Sequence, residues 1–166
     1  MKIKGLNECD ALNYKKLAMF IVFPTCDFKC DKENGCQLCQ NAPLAREPVL
    51  EMDIAEIYQR YENFPLTAAF VLGGLEPFDS EADLEEFVRY VRDDKNCNDD
   101  IVIYTGYTVD ELATKKQHLW NLLKLYPNII VKVGRYKPNQ NSHYDPVLGV
   151  QLASDNQYGI VLGIKE

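Results

Sequence analysis

Short apolar runs alternate with amphipathic helical stretches along most of this 166-residue chain, and that alternation restricts the fold more than any other feature. Residues 17–23, 67–72, 100–104 and 128–133 have strand length, are apolar or β-branched, and are bounded by polar or glycine turns. Helices are predicted between them, over 52–63, 80–92 and 108–125. In the first, Ile54, Ile57, Tyr58 and Tyr61 recur at helical spacing. In the second, Leu84, Phe87, Val88 and Val91 share a face behind Ser80, a candidate N-cap. In the third, Leu112, Leu119, Leu122 and Leu123 supply the core face, and Thr108 with Glu111 forms a capping-box pair. Strands alternating with helices imply parallel βαβ units with right-handed crossovers. The expected architecture is α/β, a single domain over 1–166, its βα units forming a partial barrel or an open parallel sheet. Residues 134–156 read as polar loop broken by Pro138 and Pro146, and 159–162 as a last short strand.

In parallel α/β folds ligands bind at the carboxyl ends of the strands. Each predicted strand here ends in an unusual segment. The first runs into Cys26, Cys30, Cys36 and Cys39, spaced Cys-x3-Cys-x5-Cys-x2-Cys. The second ends in Gly73-Gly74-Leu75-Glu76-Pro77-Phe78, the third in Tyr104-Thr105-Gly106-Tyr107 and the fourth in Gly134-Arg135-Tyr136. All four segments are expected at one edge of the sheet. Dense thiolates suit a metal: four could close a structural zinc site, and iron–sulfur clusters also use cysteine. Spacing alone leaves both open. The two glycines would let backbone approach a ligand closely, and Glu76 beside them suits an ammonium group.

Bulk properties exclude other classes. The net charge is −7, and no basic patch of the kind a nucleic-acid binder carries is visible. No apolar run approaches the length of a membrane helix. Residues 1–7 lack the apolar core of a signal peptide, so a cytoplasmic location is expected, where thiols stay reduced. Cys9 and Cys97 stand alone and read as free thiols, Cys97 in a polar turn and exposed. His118 reads as surface, His143 as loop, Trp120 as core or interface, and the acidic run Glu81, Asp83, Glu85, Glu86 as a solvated face. Asp27 and Lys29 are expected to face solvent.

The motifs in order carry a resemblance. The chain resembles the radical S-adenosylmethionine (SAM) superfamily, and within it the activating proteins of anaerobic ribonucleotide reductases. The cluster motif of that family, Cys-x3-Cys-x2-Cys with Asn two residues on, is matched by Cys26 and Cys30, then Cys39 and Asn41. Its Gly-Gly-Glu-Pro segment is matched by Gly73, Gly74, Glu76 and Pro77, with Leu75 inserted. The run Ile103 to Thr108 with Glu111-Leu112, and Ser154-Asp155-Asn156-Gln157, resemble the third-strand and tail segments of the activating proteins. The likeness spans about residue 10 to the C-terminus. One departure stands out: eight residues separate Cys30 from Cys39, with Cys36 among them.

The resemblance implies a small partial (βα) barrel of the radical SAM type. It implies a [4Fe-4S] cluster on Cys26, Cys30 and Cys39, with Cys36 as the alternative third ligand. Leu38 and Asn41 favour Cys39. It implies SAM held by Gly73, Gly74 and Glu76, with Tyr104 and Thr105 lining the adenosine side, and no catalytic residue beyond the cluster ligands. The implied activity is reductive cleavage of SAM to a 5′-deoxyadenosyl radical that places a glycyl radical on a large partner, most readily an anaerobic ribonucleoside-triphosphate reductase. A low-potential electron donor is a further implied partner. Two other readings remain beside it: another protein- or peptide-modifying radical SAM enzyme, and a zinc-stabilised binding module without catalysis.

Overall fold

A computed structural model describes residues 1–163. In chain order its strands are β1 (Lys2–Ile3), β2 (Gly5–Asp10), β3 (Ala18–Phe23), β4 (Leu50–Glu51), β5 (Ala69–Gly74), β6 (Asp100–Tyr104), β7 (Ile129–Val133), β8 (His143–Asp145), β9 (Val150–Leu152) and β10 (Tyr158–Leu162). The α-helices are α1 (Lys29–Asn34), α2 (Ile54–Glu62), α3 (Glu81–Arg89), α4 (Val109–Lys115) and α5 (Gln117–Leu123). Six strands form the main sheet in the order β10-β7-β6-β5-β3-β2. The four predicted strands, β3, β5, β6 and β7, are its parallel centre. Each edge is closed by an antiparallel strand, β2 on β3 and β10 on β7.

The central strands are covered on both faces, which is why they read as continuous apolar runs. One face packs the larger core: Ile21, Phe70, Leu72, Ile103 and Val131 meet Ile57, Phe87, Leu119 and Trp120 from the helices. The other face, with Ala18, Val71, Val102 and Ile130, is smaller and is covered by Tyr14, Leu148 and Leu152. Helix α2 starts where Asp53 Oδ1 accepts the Ala55 N–H at 2.8 Å, and buries Ile54, Ile57, Tyr58 and Tyr61 as its periodicity requires.

Several expectations are corrected. The single helix over 108–125 is two, α4 and α5, parted at Lys116, which leaves helical geometry at φ −124°, ψ 29°. Its ammonium is drawn inward to Glu81 at 2.8 Å, and no glycine or proline signals the break. The capping box of Thr108 and Glu111 is present. Ser80 precedes α3 but makes no side-chain cap; its Oγ meets Thr25 Oγ1 at 2.7 Å. Helix α3 runs on into a π-helical turn, Tyr90–Asp94, that buries Val91 and Arg92. The 134–156 stretch holds the β8–β9 hairpin, whose turn folds Leu148 onto the smaller core. His143 therefore lies on a strand, and Cys97 is half-buried against the larger core. The acidic run is only partly solvent-facing, since Glu81 pairs with Lys116 and Glu85 with Arg89 and His118. No helix among the described residues is long and apolar enough to cross a membrane.

Candidate iron–sulfur site

Parallel pairing brings the carboxyl ends of β3, β5, β6 and β7 to one edge, where the four singled-out segments meet. The first link is backbone: Glu76 N–H donates to Thr25 C=O at 2.7 Å, joining the loop after β5 to the approach to the cysteines. Cys26 is half-buried, and its Sγ accepts the Phe28 N–H at 3.3 Å. Phe28 takes a left-handed conformation (φ 54°) and turns the chain into α1, which carries Cys30. Gly35, also left-handed, ends that helix. Beyond it Cys36 is exposed, whereas Cys39 is half-buried. Asp31 makes the difference: its Oδ1 accepts the N–H groups of both Leu38 and Cys39 at 2.8 Å, folding the chain back onto α1.

Cys30 faces the loops after β6 and β7. A Cβ built on Gly106 would lie 3.8 Å from Cys30 Sγ, 3.6 Å from Glu76 Oε2 and 3.4 Å from Arg135 Cγ. Gly106 is thus the point where the cysteine loop, the Glu76 carboxylate and the loop after β7 converge. Burial raises the Cys30 thiol pKa, as does Cys39 nearby, against the Tyr136 N–H and the charges of Arg135 and Lys132. Burial pushes the Cys26 thiol up to about 12, and the carboxylates of Glu76, Asp79 and Asp27 push the same way. The Cys26 Sγ and the Asp27 and Asp79 carboxylates lie within 4.8 Å of one another. Asp79 is also held by the Tyr107 hydroxyl at 2.6 Å and the Asp27 N–H at 3.1 Å. A bound cation would favour the thiolate over the thiol.

Glu76 is buried. Its Oε2 accepts the Gly106 N–H at 2.8 Å and its Oε1 the Phe78 N–H at 3.2 Å. Burial raises its pKa to about 7, against the pull of these N–H groups and the Thr105 hydroxyl. The structure therefore brings Glu76 to the cysteine loop, while the Thr105 hydroxyl beside it accepts the Tyr107 N–H at 3.0 Å. Tyr104 is directed elsewhere: its hydroxyl donates to the Asn13 C=O at 2.6 Å on the smaller-core side. Lys29 is not simply solvent-facing, since its ammonium lies 3.7 Å from the Tyr107 ring centroid; Asp27 is exposed.

The glycines serve the sheet itself. Gly74 has φ 82°, and a Cβ there would sit 2.5 Å from Val22 Cγ1 on the neighbouring strand. A Cβ on Gly73 would lie 3.2 Å from Tyr104 Cβ. Gly74→Ala is expected to cost about 2–5 kcal/mol, combining left-handed strain with overpacking against a stiff β-branched side chain. Urea denaturation checks this: a midpoint equal to wild type would show that β3 and β5 can separate freely.

Three side chains at this edge belong to none of the sequence motifs: Asp79, Lys132 and Glu33. Arg135 binds Glu111 through two contacts of 2.7 and 2.8 Å, and its Nε lies 3.3 Å from Glu33 on α1. It thereby clamps the cysteine-bearing helix to the α4 capping box. A lysine inside the apolar run of β7 was the one legible hint of Lys132. A cavity of about 300 Å³ opens beside this clamp, lined by Glu33, Thr108, Gly134, Arg135, Lys137 and Asn156 among others. None of Gly73, Gly74, Glu76, Tyr104 or Thr105 lines it.

A thiol-rich loop of free cysteines at the carboxyl edge of a parallel sheet suits a thiolate-bound metal or an iron–sulfur cluster. Residues 16–157 match the model of the 4Fe-4S single cluster domain, and the chain belongs to that family. No curated protein and no solved structure matches it. The donor set fits such a cluster: half-buried Cys26, Cys30 and Cys39 offer soft sulfur ligands, and cations stand nearby to offset its negative charge.

Proposed function

We propose that this protein is a radical SAM activase, built on a small partial (βα) barrel, that generates a glycyl radical on a large partner enzyme. The observation that carries the reading is the convergence at Gly106, where Cys30, the buried Glu76 carboxylate and the loop after β7 meet. Cys26, Cys30 and Cys39 would hold the cluster and leave one iron without a protein ligand, as catalytic metal sites do. Glu76 would accept the ammonium of SAM beside the Gly73-Gly74 backbone, with Thr105 toward the adenosine side. A cation there would favour the ionised form of a carboxyl that burial holds near neutrality. When bound, the cluster and SAM supply a one-electron reduction that yields methionine and a 5′-deoxyadenosyl radical. The chain's own residues orient the cofactors and exclude water.

A glycine Cα on a protein loop is the proposed hydrogen donor, and an anaerobic ribonucleoside-triphosphate reductase is the partner that the motifs favour. Mixing the reconstituted protein with such a reductase, SAM and a low-potential reductant is expected to give a doublet radical signal on the reductase. SAM cleavage without that signal would point instead to another protein- or peptide-modifying enzyme. Stoichiometric zinc with no SAM cleavage would overturn the reading in favour of a binding module.

A further inference from the structure

Two cations bear on the Cys30 thiol, Arg135 and Lys132. They differ in how they are compensated. Arg135 is neutralised by the bidentate Glu111 pair and by Glu33. Lys132 is buried near the carboxyl end of β7, at the edge described above, and its ammonium donates to the Gly134 C=O at 2.8 Å. Among the described residues no carboxylate lies within ion-pair distance of it. The acidic groups that act on it are Glu76, whose oxygens already accept the Gly106 and Phe78 N–H groups, and Cys30. The backbone holds it in register: Lys132 pairs with Tyr104, and its C=O accepts the Thr105 N–H at 2.9 Å. The same Gly134–Tyr136 turn that Lys132 tethers lies beside the thiol, since a Cβ on Gly106 would be 3.4 Å from Arg135 Cγ and 3.8 Å from Cys30 Sγ. A buried cation costs stability unless something offsets it, and a negatively charged cluster on the facing thiolates would do so.

We infer that Lys132 is an electrostatic positioning residue for the cluster: its buried ammonium, without an ion pair among the described residues, raises the reduction potential of a cluster held by Cys30 and its neighbours. Reduction adds one electron to the cluster, so a fixed positive charge stabilises the reduced form more than the oxidised one. The inference rests on the cluster occupying these cysteines, and not on SAM or a partner.

The test is a redox titration followed by electron paramagnetic resonance on anaerobically reconstituted protein without SAM, comparing wild type with Lys132→Met. Lys16→Met serves as control, since Lys16 is a half-exposed partner of Asp100 that loses the same charge. The reduced-to-oxidised ratio at a fixed potential is expected to fall about tenfold in Lys132→Met, a shift of about 59 mV for one electron, and to stay unchanged in Lys16→Met. An unchanged potential at full iron and sulfide content overturns the inference. If Lys132→Met loads poorly, Lys132→Gln, which keeps a donor to Gly134, carries the same comparison. Failure of both to load would also overturn it, because Lys132 would then be a structural residue. A wild-type protein that takes up no cluster would instead count against the reading of the cysteines.

Discussion

Cys39→Ala is expected to abolish cluster uptake, while Cys36→Ala leaves it intact. The two thiols are three positions apart, yet the loop treats them differently. Cys39 is half-buried, its N–H and that of Leu38 are bound by Asp31, and its thiol acts on Cys30. Cys36 follows the left-handed Gly35, is exposed, and contacts only the Asn34 C=O, at 3.5 Å. Ordering the thiol of a half-buried cysteine whose backbone is already held costs less on cluster binding than recruiting an exposed one. Iron and acid-labile sulfide after anaerobic reconstitution decide the point. Full loading of Cys39→Ala with loss in Cys36→Ala would transfer the third ligand to Cys36.

Phe70→Ala is expected to destabilise the fold by about 3–5 kcal/mol, the range for removing a buried ring that its neighbours cannot replace. Phe70 is fully buried on β5, with ring centroids 3.9 Å from Tyr61, 5.3 Å from Phe87 and 6.3 Å from Tyr58. It thus joins α2 and α3 to the strand whose end presents Glu76. Equilibrium urea unfolding should show a lower midpoint at unchanged slope. A loss below about 1 kcal/mol would mean that the aromatic cluster collapses to fill the space.

The central strands were legible because burial on both faces demands unbroken apolar runs. The prediction over 100–104 coincides with β6, and the others differ from β3, β5 and β7 by a residue or two. The edge strand β2, Gly-Leu-Asn-Glu-Cys-Asp, gives no such signal, since its polar side chains are mostly open to solvent. Strands β1 and β4 are two residues each and exist only because they pair with one another. The break at Lys116 was hidden because Leu112, Leu119, Leu122 and Leu123 keep one face across it.

The candidate site divides along the same line. Cys26, Cys30, Cys36, Cys39 and the Gly73-Gly74-Leu75-Glu76 segment announce themselves by residue type and spacing, because thiolate and glycine chemistry is local. Sequence could not show that Gly74 is a glycine for the sake of Val22, that Tyr104 turns to Asn13, or that Asp31 selects between two cysteines. Nor could it show that Arg135 is neutralised while Lys132 is not. Those facts depend on which groups packing brings together, from Lys132 and Gly134, 2 residues apart, to Tyr104 and Asn13, 91 apart. Only packing sets the distances and burial on which charge, strain and hydrogen bonding depend.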